Sequence, residues 1–331
     1  MVFNKLFKKA GDYGTLVMVE HTIFSLSFGV VSLLLATGGR LPLIKIFLIL
    51  GALFCARTGA NAINRVIDSN IDKKNPRTRM RQLPSGKMSK KEAVLFSFSC
   101  FVFLFVFVFF LNTLCMILLP FALLLMLFYS YTKRFTWGCH FILGAVCCLA
   151  PLGAWLAVTG NLGGIGEFFS GSFFSIIHLD VLGLAAAFRL LIEAVGSKDP
   201  IFVPIFLALA NAFWVAGFDI IYAIQDIEFD RQHHVHSVPA RFGVKKALNI
   251  SSLCHFLAIG ALLAAGWWSH HLGILYFFGI VIVSALFLVE HSLVKPGQLK
   301  YVKLASYSIN EVVGVVFLFF SVAAIYVGWS W

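Results

Sequence analysis

Three oxygen-bearing side chains, Asn64, Asp68 and Asp72, follow one another at four-residue spacing where an apolar stretch runs into a basic one. On an α-helix that spacing stacks all three on one face. Two stacked carboxylates repel each other, and beside a bilayer each is costly to desolvate. A divalent cation between them relieves both costs, and a hard cation such as Mg²⁺ takes oxygen ligands and brings phosphate with it. The residues that follow, Lys73, Lys74, Arg77, Arg79 and Arg81, supply the cationic half of a polyanion site. A single cluster of this kind would also suit a solvated helix end.

A second cluster decides between the two readings. Tyr222, Asp226 and Asp230 repeat the four-residue spacing, and Asp219 adds a carboxylate one turn earlier. The flanks run in parallel: Pro84 and then Lys90-Lys91 follow the first cluster, Pro239 and then Lys245-Lys246 the second. The chain reads as one integral domain, 1–331, of two pseudo-repeated halves, about 1–136 and 137–331. Such a repeat in a membrane protein points to a site built between the halves.

The elements that carry these clusters must be membrane helices. Sixty per cent of the residues are hydrophobic and 12% charged, and the mean hydropathy is +0.91, which marks a polytopic protein of the lipid bilayer. Spans of about 20 apolar residues fall near 18–37, 42–62, 92–111, 113–131, 137–158, 200–224, 246–266, 271–290 and 305–329. The expected fold is therefore all-α, with about nine transmembrane helices. The first span follows a short basic segment and lacks a small-residue cleavage site, so no cleavable signal peptide is expected. With the N-terminus inside, 22 of the 26 Lys and Arg residues fall on the inner side. The net charge of +11 then follows from topology and calls for no nucleic-acid partner. The same orientation puts both acidic clusters on the cytoplasmic face of a plasma (inner) membrane.

Four segments resemble the UbiA superfamily of intramembrane aromatic prenyltransferases, and within it the 4-hydroxybenzoate polyprenyltransferase branch. They are NRVIDSNIDKKNPRTRMRQLPSGK, YSYTKRFTWGCHFILG, PLGAWLAVTG and GFDIIYAIQDIEFDRQHHVHSVPARFG. The resemblance implies nine helices around a central cavity and Mg²⁺-dependent transfer from a polyprenyl diphosphate to an aromatic acid, in ubiquinone or menaquinone biosynthesis. On that reading Asn64, Asp68 and Asp72 hold one metal and Asp219, Asp226 and Asp230 a second. Asp68, Asp72, Asp226, Asp230 and Tyr222 are the expected catalytic residues. Arg65, Arg77, Arg81, Lys133, Arg134, Arg231 and Arg241 are candidates for the diphosphate oxygens or the acceptor carboxylate, where a planar guanidinium offers two donors. Thirty-six phenylalanines suit a long prenyl chain and offer π faces to a cation. Two departures stand out: Arg65 occupies a position where many members carry Asp, and the 160–199 connection is long.

Other features read more plainly. The seven cysteines lie in or beside apolar spans without zinc spacing or a disulfide framework, as small core residues do. Glu20-His21 reads as a satisfied pair near the inner interface, and His233, His234 and His236 lack the support a metal cluster needs. The aromatic run 101–110 reads as lipid-facing or packing surface. The segment 160–199, Gly-rich at its start, reads as an outer-side interfacial insertion. A dihydroxynaphthoate prenyltransferase, a haem farnesyltransferase and an archaeal-type lipid prenyltransferase are the rivals within the superfamily. An ion-coupled transporter would use the same intramembrane charges, but these carboxylates sit at helix ends beside basic loops.

Overall fold

The computed structural model describes residues 11–17, 19–40, 43–161, 200–297 and 299–328, with the backbone alone for 19–25. In lipid a chain must satisfy its own peptide groups, and long apolar runs do so as helices. In chain order these are α1 (Val19–Thr37), α2 (Leu43–Lys74), α3 (Lys90–Phe109), α4 (Thr113–Thr132), α5 (Cys139–Thr159), α6 (Phe202–Ala223), α7 (Ile227–Gln232), α8 (Val238–Trp268), α9 (Ile274–Leu293) and α10 (Asn310–Gly328). Among the described residues eight helical stretches are long and apolar enough to cross a bilayer, and the apolar Leu26–Thr37 of α1 adds a shorter one. That agrees with the expectation of an all-α membrane protein of about nine spans. Most of the 160–199 insertion and the side chains of Glu20 and His21 lie outside the described residues.

At 32 residues α2 is longer than the roughly 20 a bilayer core needs. Its last turns therefore carry Asn64, Asp68 and Asp72 to the edge of the apolar zone. Lys73 and Lys74 close its final turn, where cations complement the helix dipole, and Pro76 disfavours further helix. The basic loop then ends at Ser89, whose side chain accepts from the Glu92 backbone N–H while Glu92 accepts from the Ser89 N–H, a capping box that starts α3.

The α6 helix is the centre of the bundle. Leu207, Ala210 and Trp214 are buried against Phe28 and Val31 of α1, Ala258 and Leu262 of α8, Tyr276 of α9 and Phe317 of α10. Its approach to α5 is close: a Cβ on Gly144 would lie 2.5 Å from the Ala212 carbonyl oxygen, so only glycine fits. Pro151 in α5 has no N–H for the Cys147 carbonyl one turn back. Asn211 of α6 replaces that donor at 2.8 Å, so the Cys147 carbonyl keeps a hydrogen-bond partner. On α3 the aromatic run divides as a lipid-facing helix should: Phe103, Phe105, Phe109 and Phe110 are exposed, Leu104 and Val108 buried. All seven cysteines are free.

Candidate active site

The two acidic clusters, far apart in sequence, line one cavity of about 250 Å³. From α2 come Asn64, Arg65, Asp68 and Asp72; from the following loop Asn75, Arg77 and Arg81; from the end of α4 and its cap, Ser130 and Lys133; from α6 and beyond, Asp219, Tyr222, Asp226 and Asp230. Of the expected binding residues, Arg134 touches this group from behind, donating to Asp68 Oδ1 at 3.3 Å and to the Ile67 carbonyl at 2.9 Å. Arg231 and Arg241 are not part of the lining. Arg231 instead donates to the Ala240 carbonyl at 3.0 Å, and Arg241 is exposed. The reason is local: Arg231 sits on the exposed side of the last turn of α7, and Arg241 on the exposed side of the first turn of α8.

The carboxylates are held in different ways. Asp68 pairs with Lys133 Nζ at 2.6 Å. Asp72 accepts both its bonds from Arg81 Nη1, each at 3.0 Å. Asp226 is gripped by Arg77, through Nε at 2.9 Å and through Nη2, and by Asn75 Nδ2 at 2.8 Å. The second Arg77 terminal nitrogen donates to the Tyr222 hydroxyl, and the guanidinium lies over the Tyr222 ring, 4.6 Å from its centroid. Burial works against the charge on Arg77, but its hydrogen bonds to Asp226 and Tyr222 prevail and hold it protonated more firmly than an ordinary arginine. The loop after α2 is thereby tied to α6 through one guanidinium.

Asp219 is bonded to His140 Nδ1 at 2.6 Å. The Val238 N–H donates to His140 Nε2 at 3.3 Å, which assigns the ring proton to Nδ1 and makes the imidazole the donor to Asp219. Asp230 accepts from Ser237 Oγ at 2.8 Å. The four-residue spacing suggested one continuous helical face for Tyr222, Asp226 and Asp230. Instead α6 tightens into a 3₁₀ turn over Ile224–Asp226 before α7 begins, so Asp226 and Asp230 leave the direction set by Asp219 and Tyr222. Among the described residues no three His, Cys, Asp or Glu side chains converge on a metal-sized point.

That geometry nonetheless fits Mg²⁺. The donors are all oxygen, and Mg²⁺ is commonly held by one or two carboxylates plus substrate phosphates rather than by a complete protein cage. Lys133, Arg81 and Arg77 occupy the carboxylates as stand-in cations. The lining balances five aspartates (68, 72, 219, 226, 230) against five cations (Arg57, Arg65, Arg77, Arg81 and Lys133), so an incoming diphosphate calls for further positive charge.

Sequence reading passed over several lining residues: Asn75, His140, Arg57 and Tyr307. Tyr307 sits in a π-helical turn, Leu304–Ile309, just before α10, and meets Tyr222 edge-on with ring centroids 4.9 Å apart. Next to the polar cavity lies an apolar one of about 370 Å³, walled by α2, α4 and α5 with residues such as Ile49, Leu53, Leu119, Met126 and Ala154. Arg57 lines both.

Comparison with known proteins agrees with this arrangement. The 4-hydroxybenzoate octaprenyltransferase of Citrobacter koseri is 25% identical over 331 residues, which covers 99% of this chain and 96% of that one. The apo structure of a UbiA homolog from Aeropyrum pernix K1 superposes with a TM-score of 0.72 at 28% identity, over 93% of this chain and 98% of its own. A UbiA homolog from Archaeoglobus fulgidus bound to GPP and Mg²⁺ shares the fold, with a TM-score of 0.61 at 16% identity over 95% and 99% of the two chains. The model of the UbiA prenyltransferase family matches residues 25–310, and the chain belongs to that family.

Proposed function

We propose that this protein transfers a polyprenyl group from a polyprenyl diphosphate to an aromatic acid, with 4-hydroxybenzoate as the first acceptor to consider, in quinone biosynthesis. The observation that carries the reading is the junction of a carboxylate- and guanidinium-lined cavity with an apolar one. A prenyl diphosphate has the same division between a charged head and a hydrocarbon tail. Relatives named 4-hydroxybenzoate octaprenyltransferase support the acceptor, and the family fold is known with GPP and Mg²⁺ bound.

Asn64, Asp68 and Asp72 on one side and Asp219, Asp226 and Asp230 on the other are the oxygen donors that would hold Mg²⁺. When bound, the metal neutralises charge on the departing diphosphate. The chain's own cations do the rest of the binding. Lys133, Arg81 and Arg77, released from their carboxylates, reach the diphosphate oxygens, and Arg65 joins them from α2. Tyr222 and Tyr307 present aromatic rings at the same rim, where positive charge develops as the carbon–oxygen bond breaks. The ring carbon ortho to the acceptor hydroxyl takes up the allylic carbon and gives up its proton, leaving diphosphate and the prenylated acid. We place the N-terminus and this site on the cytoplasmic side of the inner membrane, in keeping with the distribution of Lys and Arg.

The test is turnover in membranes with geranyl diphosphate and Mg²⁺, offering 4-hydroxybenzoate and a dihydroxynaphthoate side by side. A prenylated 4-hydroxybenzoate that vanishes with EDTA supports the proposal. A prenylated naphthoate alone moves the protein to the other pathway, and no product from either ring refutes an aromatic acceptor of this kind.

A further inference from the structure

Glu290 of α9 is wholly enclosed by the bundle, 0% exposed, where an acidic side chain is costly and calls for a purpose. Its Oε1 accepts from Asn310 Nδ2 at 2.9 Å. Among the described residues its Oε2 has no hydrogen-bond partner; it stands 3.8 Å from His255 Nδ1, which is bonded to His291 Nε2 at 3.0 Å. Asn310, also 0% exposed, uses every polar atom of its side chain. Nδ2 donates a second time, to the Ala305 carbonyl at 3.0 Å, and Oδ1 accepts from Trp214 Nε1. Its backbone N–H donates to the Tyr307 carbonyl. One residue thus joins α6, α9 and the start of α10.

Both carbonyls that Asn310 holds belong to the π-helical turn Leu304–Ile309. A π turn is uncommon and occurs frequently at functional sites. Because it holds one residue more than an α-helical turn, it rotates the side chains before α10 by up to about 100° relative to that helix. Tyr307 lies in this turn. It reaches the lining of the polar cavity and meets Tyr222 edge-on, with ring centroids 4.9 Å apart. Trp214 carries the contact toward the second acidic cluster, since it packs on Phe218 at 5.8 Å between ring centroids, one residue before Asp219.

We propose that Glu290 and Asn310 are positioning residues for prenyl transfer. Their buried bond fixes the π turn and so holds the Tyr307 ring where the allylic cation develops; this rests on the prenyl-transfer reading above. The test is kcat per folded molecule with geranyl diphosphate, Mg²⁺ and the aromatic acid that the wild type accepts. The variants are Glu290→Leu, Glu290→Gln, Tyr307→Leu and the double variant Glu290→Leu/Tyr307→Leu. A ring facing a developing cation corresponds to about a two- to thirtyfold change in kcat. Tyr307→Leu and Glu290→Leu should each lose about that much, while the KM for geranyl diphosphate stays within about twofold. Glu290→Gln keeps an oxygen for Asn310 Nδ2 and should stay within about twofold of wild type. Glu290 acts through Tyr307, so the double variant should be no slower than Tyr307→Leu alone. Losses that multiply in the double variant would overturn the proposal, as would Glu290→Gln as slow as Glu290→Leu, or Tyr307→Leu with full kcat. If Glu290→Leu does not fold, Trp214→Phe gives the same cycle with Tyr307→Leu, because it keeps an aromatic ring and removes only the N–H on Asn310 Oδ1. A wild type that prenylates no ring defeats the prenyl-transfer reading and this proposal with it, an outcome distinct from an active enzyme indifferent to Glu290.

Discussion

Replacing Asp226 by Asn separates chemistry from architecture at the point where the two coincide. The carboxylate accepts from Asn75 Nδ2 and Arg77 Nε on Oδ1, at 2.8 and 2.9 Å, and from Arg77 Nη2 on Oδ2. An amide keeps the first oxygen but turns an NH₂ toward Arg77, so the forked pair is lost and two donors face each other. A buried charge-assisted bond contributes about 1.5–3 kcal/mol. Here the side chains are 30% and 14% exposed, so solvent screening reduces the cost to about 1–2 kcal/mol. For a chain of this size that is a fall of only a few degrees in Tm. The loss of turnover should be far larger, about 10²–10³-fold in kcat, because the carboxylate is one of the donors that would hold Mg²⁺ at the leaving diphosphate. The assay is kcat with geranyl diphosphate at saturating Mg²⁺, beside a thermal melt in the same detergent. A variant that melts a few degrees early yet retains a third or more of wild-type kcat would make Asp226 a fastener for Arg77 and remove it from the chemistry.

Three further substitutions test neighbouring parts of the account. Gly144→Ala places a methyl group against the Ala212 backbone of α6; it should destabilise by about 1–3 kcal/mol and, by spreading the two helices, disturb the His140–Asp219 bond and lower kcat, as a melt and a turnover assay would show. Asn211→Leu leaves the Cys147 carbonyl unsatisfied beside Pro151, with an expected loss of about 1–3 kcal/mol in a denaturation series and little change in the KM for either substrate. Arg65→Met should raise the KM for geranyl diphosphate about tenfold or more, and an unchanged KM would assign this cation to topology.

Much of the fold was legible because bilayer thickness imposes a length on every span and hydropathy records it. The clusters were legible because a repeated i, i+4 pattern of carboxylates is hard to reconcile with lipid unless something binds there. What escaped was tertiary in origin. His140 meets Asp219 across 79 positions of sequence and Asn75 meets Asp226 across 151, and a single His or Asn carries no period to announce such a partner. The 3₁₀ turn at Ile224–Asp226 has no proline or glycine to signal it, so the regular spacing of Tyr222, Asp226 and Asp230 overstated their alignment. Arg231 and Arg241 carried the right charge in the right loop. Their exclusion from the cavity follows from their places on the exposed sides of α7 and α8, which only the packed structure displays. Arg57 was overlooked for the opposite reason: it lies inside an apolar span and belongs to no cluster.

The most direct test of a shared diphosphate site between the two clusters is an experimental structure of the protein in lipid with Mg²⁺ and an unreactive thio-analogue of geranyl diphosphate. A shared site requires metal density between the α2 carboxylates and Asp226 or Asp230, the diphosphate on Lys133, Arg77 and Arg81, and the tail in the cavity walled by α2, α4 and α5. A ligand bound elsewhere, or a diphosphate in place with Asp68, Asp72 and Asp226 still paired to their lysine and arginines and no metal beside them, would contradict it.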